Sequence, residues 1–340
     1  MATIWDVARL ARVSKSTVSR ALNGAPGVAP ETARRVLEAA RALRYRPNLV
    51  AQSLVKRRTQ TIGLIIPDQR NPYYAHASWV AEREAGLHDY LVMVCNSDND
   101  PRKEEEYLRV LEARQVDGIL LIGGVKSVAP VVRMAAQSSI PVVLVDRAVG
   151  STYPIPSVVL DNIRGGRELT EFLLNLGHLR IAFVTSEYTM AERDRRIGYE
   201  RALEAAGLPV DPELVVRLEE ATWKDGRLAR LEQLLLSDSR PTAIFASNDL
   251  KAIAVYRLLR RLGLRVPDDI SVVGYDNIEI ADLLTPPLTT MAQPIDDMAA
   301  TGMRILLQLI EGGDPPSEPI RFAPRLHVRA STARVGPSSA

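Results

Sequence analysis

The sequence predicts an α/β protein in which a small helical head precedes a longer body built on parallel sheets. Three observations lead to this prediction. Two short runs with helical spacing lie near the N-terminus, basic residues are concentrated there, and short apolar runs alternate with helical stretches from residue 62 onward. At 340 residues the chain has room for about two or three domains, each with its own core.

The head begins with two short helices joined by one tight turn. Apolar residues recur at helical spacing along the first helix: Ile4, Val7, Ala8 and Ala11. The second helix repeats the spacing with Val18, Ala21 and Leu22, and Ser14 can cap it through its hydroxyl. Its other face is polar: Lys15, Ser16, Ser19 and Arg20. The pattern fits a helix-turn-helix, which lays its second helix in the major groove of DNA, and fits an ordinary amphipathic helix pair equally well.

The charge distribution favours the DNA-binding interpretation. Residues 1–60 carry 12 Lys and Arg against 3 Asp and Glu, whereas residues 61–340 carry 31 against 38. The net charge of +2 therefore combines a head of +9 with a body of −7. A basic head on an acidic body is typical of phosphate binding, because neutralised phosphates release counterions.

A third helix and a linker complete the N-terminal part. The helix is expected from about Pro30 to Tyr45, with Pro30 at its first position and Glu31 at the positive end of its dipole. Residues 1–46 would form the head. Residues 47–60 are predicted to be a hinge helix and linker, since Asn48 can cap one or two helical turns that are marginal in water on their own.

Continuous apolar runs mark the strands of the body: Ile62–Pro67, Leu91–Asn96, Gly118–Ile122, Val142–Asp146, Arg180–Thr185, Ala243–Ser247 and Ser271–Tyr275. Such runs are typical of parallel strands buried on both faces. Helical stretches separate them: Pro101–Arg114, Gly165–Leu176, Asp194–Ala206 and Leu250–Leu262. Gly207 and Gly263 are expected to end the last two helices. The strands are too many for one sheet, so two doubly wound α/β subdomains are predicted.

Polar pairs, each with an acidic residue, follow four strand ends: Asp146-Arg147, Asp161-Asn162, Asn248-Asp249 and Asp276-Asn277. In an open parallel sheet the ligand lies outside the carboxyl ends of the strands. The sequence therefore predicts a hydrogen-bonding cleft at these ends.

Other features exclude several classes of protein. The single cysteine, Cys95, allows no disulfide framework and favours a reducing compartment. No stretch is long enough to span a membrane and the N-terminus does not have the composition of a signal peptide, so a cytoplasmic protein is expected. This, with the basic head, disfavours a secreted sugar-binding protein, although the body alone would suit one. The four histidines lack metal-ligand spacing, and dinucleotide, phosphate-loop and nucleophile-elbow motifs are missing. We therefore expect no enzyme, no catalytic residue, no cofactor and no metal.

Motifs along the whole chain occur together in a set order. The head contains Asp6-Val7-Ala8 and Thr17-Val18-Ser19-Arg20, and the linker contains Tyr45-Arg46-Pro47-Asn48. The body adds further motifs: Asn71-Pro72-Tyr73-Tyr74, Leu176-Gly177-His178, Ser247-Asn248-Asp249 and residues 267–276. In this combination the chain resembles the lactose/galactose repressor (LacI/GalR) family of bacterial transcription regulators. The resemblance implies an α/β fold with a three-helix helix-turn-helix head, a hinge helix, and two subdomains of periplasmic-binding-protein type within residues 61–340. The subdomains would comprise residues 61–161 plus 292–322, and 162–291 plus 323–340.

The family also implies a function. The protein would be a sequence-specific regulator, expected to be a repressor, that binds a pseudo-palindromic operator as a homodimer and is switched by a small-molecule effector, above all a sugar or sugar derivative. Lys15, Ser16 and Arg20 would lie at base edges and Leu54 would wedge into the minor groove. Phosphate contacts would come from Ser14, Thr17, Ser19, Asn23 and Thr32. The effector would contact Tyr73, Tyr74, Asp146, Asp161, Arg195, Asn248 and Asp276.

The chain departs from the family pattern in places. Ala221 stands where an aromatic residue is frequent, and Trp223, two residues later, is a candidate to replace that ring. The residues after about Arg334 show no heptad pattern, so the tetramerising tail of some relatives is not expected.

Overall fold

The computed structural model describes residues 2–22, 24, 26–45, 58–124, 129–147, 155–186, 189–218 and 228–335. The chain forms two compact units, Met1–Thr59 and Gln60–Ala340. The predicted hinge helix with Leu54, and also Asn23, Ala221 and Trp223, lie outside the described residues.

The first unit contains α1 (Ile4–Ala11), α2 (Lys15–Leu22) and α3 (Pro30–Ala42), as predicted. Thr3 caps α1 in a capping box with Asp6, and α1 ends at Arg12 in the left-handed conformation. The three helices share one small core: Val7, Ala8, Ala11, Val18, Val36, Ala39 and Ala40. The apolar stripes identified in the sequence are therefore the faces that pack together.

Helix α3 ends three residues before the predicted Tyr45. Arg44 adopts a positive φ of 48°, and the Tyr45 N–H donates to the Ala40 carbonyl at 2.8 Å while the Arg44 N–H donates to Arg41 at 3.0 Å. These are the two bonds of a Schellman ending. No glycine marked it in the sequence, which is why the prediction overran.

The first sheet of the body contains β1 (Thr61–Ile66), β2 (Leu91–Asn96), β3 (Gly118–Ile122), β4 (Val142–Val145), β5 (Ser157–Leu160) and β11 (Ile320–Phe322). All its neighbouring strands are parallel, in the order β11-β5-β4-β3-β1-β2. The helices of this part of the chain are α4 (Pro72–Gly86), α5 (Pro101–Ala113) and α6 (Ala129–Gln137). Helix α12 (Ile295–Ile310) also packs here, against α4, β3 and β4.

The second sheet contains β6 (Ile181–Thr185), β7 (Val215–Arg217), β8 (Ala243–Ala246), β9 (Ser271–Asp276), β10 (Thr289–Ala292) and β12 (Arg325–His327). Its order is β12-β10-β9-β8-β6-β7, with only β12 antiparallel to its neighbour. Its helices are α7 (Asn162–Asn175), α8 (Met190–Ala205), α9 (Ala229–Leu235), α10 (Asp249–Arg261) and the short α11 (Ile280–Leu283). The chain crosses between the sheets after β5, after β10 and after β11.

All seven predicted strands are present, and their ends differ from the prediction by at most one residue. Strand β2, however, is not buried on both faces as its apolar run suggested, since Leu91 is 67% exposed and Val94 41% exposed. The reason is its position at the edge of the sheet, where β1 is its one neighbour among the strands that the structure describes. Gly207 and Gly263 end α8 and α10 with positive φ, as expected.

Two observations concern membranes and metals. No helix in the described part of the chain is long and apolar enough to cross a membrane. The described residues also contain no group of three or more His, Cys, Asp or Glu side chains that could hold a metal ion.

Candidate functional site

The exposed face of α2 carries the polar residues that the sequence assigned to DNA. Ser14 caps the helix, because the Thr17 N–H donates to its Oγ at 3.1 Å. The same Oγ lies 2.7 Å from Ser16 Oγ and 2.8 Å from Thr17 Oγ1. The predicted contact residues on and around α2 divide into exposed side chains and half-buried ones: Ser14, Lys15, Ser16 and Arg20 are exposed, and Thr17, Ser19 and Thr32 are half-buried.

Trp5 was not predicted to take part in this face. Its ring is 61% exposed, and the Lys15 ammonium lies 5.5 Å from its centroid. A cation at this distance is attracted by the ring, which restrains the Lys15 side chain at the start of α2.

A polar cleft lies in the second unit, where carboxyl ends of strands from both sheets face each other. It encloses about 670 Å³ of space, part of which is open to solvent. Its lining is mainly polar: Asp68, Asn71, Tyr73, Tyr74, Asn99, Asp146, Ser186, Thr189, Ala191, Glu192, Arg195, Asn248, Leu250, Lys251, Asp276 and Gln293. Six of the seven residues predicted to bind the effector are among these.

Arg195, on α8, is buried and lines the cleft. Its Nε donates to Asn162 Oδ1 at 2.9 Å and its Nη1 donates to the Ser247 carbonyl at 2.7 Å. Nη1 also lies 3.4 Å from Asp276 Oδ1. The guanidinium carbon is 3.7 Å from the centroid of the Tyr275 ring, on which the group stacks. The side chain is therefore fixed on three sides.

Two glycines allow α7 and α8 to approach closely enough to place Arg195 there. A Cβ at Gly166 would overlap the Arg195 carbonyl oxygen, and a Cβ at Gly198 would overlap the Ile163 carbonyl oxygen. A third glycine, Gly165, leaves room for the hydroxyl of Tyr275. The position of the cleft arginine thus depends on small residues in the helices behind it.

Asp146 and Asp276 are the two predicted carboxylates that face the cleft from different sheets. Burial raises the pKa of each to about 6, although Arg195 opposes the shift in both cases. Asp146 accepts from Asn162 Nδ2 at 3.4 Å, and Asp276 accepts from Gln293 Nε2 at 2.7 Å. Both groups are thus acceptors that burial has made costly to ionise.

The two tyrosines approach the cleft from α4. The Tyr73 hydroxyl donates to Gln293 Oε1 at 3.0 Å, and the Tyr73 and Tyr74 rings make an edge-on contact with centroids 5.1 Å apart. Burial, with the nearby carboxylates, raises the pKa of both hydroxyls well above the ordinary 10. Both therefore remain protonated donors.

A buried ion pair lines the cleft on the side of the second sheet. Lys251 on α10 donates to Glu192 Oε1 on α8. Ser247 Oγ donates to the same oxygen at 2.9 Å, and Ser186 Oγ donates to Glu192 Oε2 at 2.9 Å. Burial raises the pKa of Glu192, but the lysine and the two hydroxyls more than offset this, so the net shift is downward.

Asp161 does not line the cleft. Its side chain is exposed and caps α7, where the Arg164 N–H donates to Oδ1 at 3.0 Å. The neighbouring residue, Asn162, is buried and joins Asp146 to Arg195 instead. The prediction chose Asp161 and not Asn162 as the site residue of this pair. Asp161 instead caps the start of α7, and its side chain is exposed. Asn248 does line the cleft and also caps α10 by accepting from the Lys251 N–H at 2.9 Å.

Four residues that hold the polar network of the cleft were not predicted as site residues: Glu192, Lys251 and Gln293, which line it, and Asn162, which binds Arg195. Asn162 and Gln293 follow strand ends, so the rule that selected the acids could have included these amides. Glu192 and Lys251 are charged residues within helices, and their sequence offers no sign that both are buried.

Family models match both parts of the chain. Residues 3–48 match the model described as bacterial regulatory proteins, lacI family, and residues 170–332 match a periplasmic binding protein-like domain. The HTH-type transcriptional regulator DegA of Bacillus subtilis (strain 168) is 36% identical over 97% of this chain and 98% of its own length.

Two solved structures resemble the fold. The lac repressor dimer bound to operator and the anti-inducer ONPF has a TM-score of 0.85 at 27% identity, covering 98% of this chain and 99% of that one. The complex of the transcriptional regulator CelR with cellobiose has a TM-score of 0.70 at 32% identity, covering 97% of this chain and 100% of that one.

Proposed function

This chain belongs to the LacI family of bacterial transcription regulators, and we propose that it binds a pseudo-palindromic operator as a homodimer under the control of a sugar or sugar derivative. One observation carries the proposal: polar side chains of both sheets of the body line one cleft. A ligand that contacts both sheets favours one angle between them over others. Differential affinity of this kind is what a switch requires.

The hydrogen bonds across the cleft support this coupling. Gln293 accepts from Tyr73 of α4 and donates to Asp276 of β9. Asn162 donates towards Asp146, after β4, and accepts from Arg195 of α8. Each amide thus connects a residue from the part of the chain around the first sheet with a residue from the part around the second sheet. Hydroxyls of a sugar can compete for, or extend, both connections.

For the head we propose direct base contacts from Lys15, Ser16 and Arg20, whose side chains are exposed on α2. An arginine that donates to two acceptors of a guanine is worth about 1–3 kcal/mol of discrimination. Phosphate contacts are assigned to five nearby residues: Ser14, Thr17, Ser19, Asn23 and Thr32. Leu54 is assigned to the minor groove, where an inserted apolar side chain kinks the duplex.

An exposed apolar edge supports the homodimer. Trp79 and Leu87 on and just after α4, and Leu91 and Val94 on β2, are each 41–74% exposed. Strand β2 is also the edge of its sheet. Apolar side chains grouped on an edge strand and its helix favour burial against a second copy. We propose that the protein acts in the cytoplasm, where operator DNA lies. We propose no catalytic activity for it.

The test uses the full chain and a random DNA library. Selection followed by sequencing is expected to return two symmetric half-sites. Arg20→Ala is expected to relax the preference at one position of each half-site, whereas Arg257→Ala, which removes an exposed arginine of α10, is not. A retardation assay on the selected DNA with a panel of sugars then identifies the effector. Enriched sequences without symmetry, or retardation that no sugar alters, would contradict the proposal.

A further inference from the structure

The charged side chains of the cleft restrict the kind of ligand it can take. We infer that the cleft selects an uncharged or amine-bearing, hydroxyl-rich ligand and rejects phosphorylated or carboxylated ones, because three buried carboxylates face two cations that are already bound within the protein. The carboxylates are Asp146, Glu192 and Asp276, and the cations are Arg195 and Lys251. The inference rests on the proposed function, since it concerns the ligand of the same cleft.

The three carboxylates are withdrawn from water. Asp146, Glu192 and Asp276 are 9%, 3% and 8% exposed. Burial raises the pKa of both aspartates to about 6, which means that the site already disfavours the negative charge it holds. A ligand that brings a further negative charge adds repulsion in a medium where charges interact more strongly than in water. Hydroxyl or ammonium donors, by contrast, supply the hydrogen bonds that these acceptors lost on burial.

The two cations are held in place by protein acceptors. Arg195 donates to Asn162 Oδ1 and to the Ser247 carbonyl and lies against Asp276. Lys251 donates to Glu192, whose two oxygens also accept from Ser247 and Ser186. A phosphate that approaches either cation would also approach the carboxylate that already neutralises that cation, Asp276 beside Arg195 and Glu192 beside Lys251. Repulsion between the two anions then offsets the attraction of the cation.

A fourth buried carboxylate, Asp68, also lines the cleft and is paired with an arginine. Asp68 lines the cleft, and Arg70 donates to its Oδ1 from Nε at 2.8 Å and to its Oδ2 from Nη2 at 3.1 Å. The Arg70 side chain is 72% exposed, so this pair reaches solvent, whereas the Arg195 side chain beside Asp276 is 4% exposed. Among the described residues, the lining therefore holds four carboxylates and two cations.

The test compares ligands that share one carbon skeleton. Melting temperature and titration are measured on the full chain at constant ionic strength, with matched sets such as glucose, glucosamine and glucose 6-phosphate, or ribose and ribose 5-phosphate. If any sugar of a matched set binds, we expect the neutral or amino sugar to bind, and the phosphorylated sugar to bind with an affinity at least about tenfold lower. A phosphorylated or carboxylated sugar that binds as tightly as its neutral counterpart overturns the inference.

A second arm needs no knowledge of the effector. Inorganic phosphate is expected to raise the melting temperature of Glu192→Gln and of Asp146→Asn more than that of the wild type, since each variant has one acid fewer in the cleft. Glu192→Gln removes the carboxylate that pairs with Lys251, and the variant then risks not folding. In that case Asp146→Asn alone provides the comparison with the wild type. Glu171→Gln, on a half-exposed residue of α7, is the matched control and is expected to behave like the wild type. Equal stabilisation of all four proteins by phosphate overturns the inference.

The outcomes separate this inference from the proposed function. A neutral sugar that stabilises the protein without altering DNA retardation contradicts the proposed switch and supports the ligand class. A sugar phosphate that does both supports the switch and contradicts the ligand class.

Discussion

Replacing Asp146 with asparagine is expected to stabilise the ligand-free protein at neutral pH. The side chain is buried between two sheets, and its pKa rises from 3.8 to about 6. At about 1.4 kcal/mol for each tenfold change in proton affinity, this difference corresponds to about 3 kcal/mol. Asparagine resembles the protonated acid, keeps the oxygen that accepts from Asn162, and tolerates the positive φ of 55° at this position. The substitution therefore removes the cost of the charge without adding strain.

The stability difference between Asp146→Asn and the wild type is expected to grow as the pH rises. Between about pH 3.8 and about pH 6 the folded protein binds more protons at Asp146 than the unfolded chain does, so this group's stabilising contribution is lost as the pH rises. The advantage of Asp146→Asn over the wild type is then about 1–2 kcal/mol near pH 5 and about 3 kcal/mol near pH 7.5. Below about pH 4 the two proteins should have similar stability.

The assay is denaturant unfolding of both proteins at these pH values, followed by titration with the effector at neutral pH. The control is Asp238→Asn, on an exposed carboxylate outside the cleft, which is expected to change stability by less than about 0.5 kcal/mol at each pH. Effector affinity should fall in Asp146→Asn, because an ionised acceptor is lost. The reasoning would be refuted if Asp146→Asn were less stable than the wild type near pH 7.5. It would also be refuted if the stability advantage of the variant were the same near pH 5 and near pH 7.5.

Three further substitutions test other parts of the argument. Arg195→Ala is expected to abolish the effector response while operator binding persists, and an unchanged effector titration would remove Arg195 from the site. Leu54→Ser should weaken binding to operator far more than binding to scrambled DNA in a retardation assay, whereas equal losses would exclude the minor-groove wedge. Gly165→Ala places a Cβ on the Tyr275 hydroxyl, so unfolding should show a loss of about 1–3 kcal/mol. Gly86→Ala, where nothing lies within 4 Å of the new Cβ, should show no such loss.

Much of the fold could be predicted because buried parallel strands leave a clear pattern. Runs such as Gly118–Ile122 are wholly buried, and the prediction matched their bounds. The three-residue strands β7, β11 and β12 were missed because so short a run carries no periodicity. Exposure was misjudged at β2, since an apolar sequence cannot distinguish a central strand from an edge strand that retains apolar side chains.

The cleft was predicted in outline for a related reason. The carboxyl ends of parallel strands share one edge of a sheet, so acids after those ends converge there, as Asp146 and Asp276 do. The rule failed at Asp161, because a helix begins at once and takes that carboxylate as its cap. It could not reach the Glu192–Lys251 pair, whose two residues are far apart in sequence and meet only when α8 and α10 pack.

The energetics of the cleft suggest how a small molecule can act on the whole body. Asp146 and Asp276 follow different sheets, and keeping both ionised without a ligand costs free energy in the folded protein. Donors on one ligand can recover part of that cost only while both sheets contact it. Asn162 and Gln293, which carry hydrogen bonds across the cleft, lie in segments where the chain passes from one sheet to the other. A change in the angle between the sheets must therefore alter the same bonds that a ligand alters. A coupling of about 3 kcal/mol through these bonds would change affinity for DNA by about 150-fold, which is the upper part of the usual range for allosteric proteins.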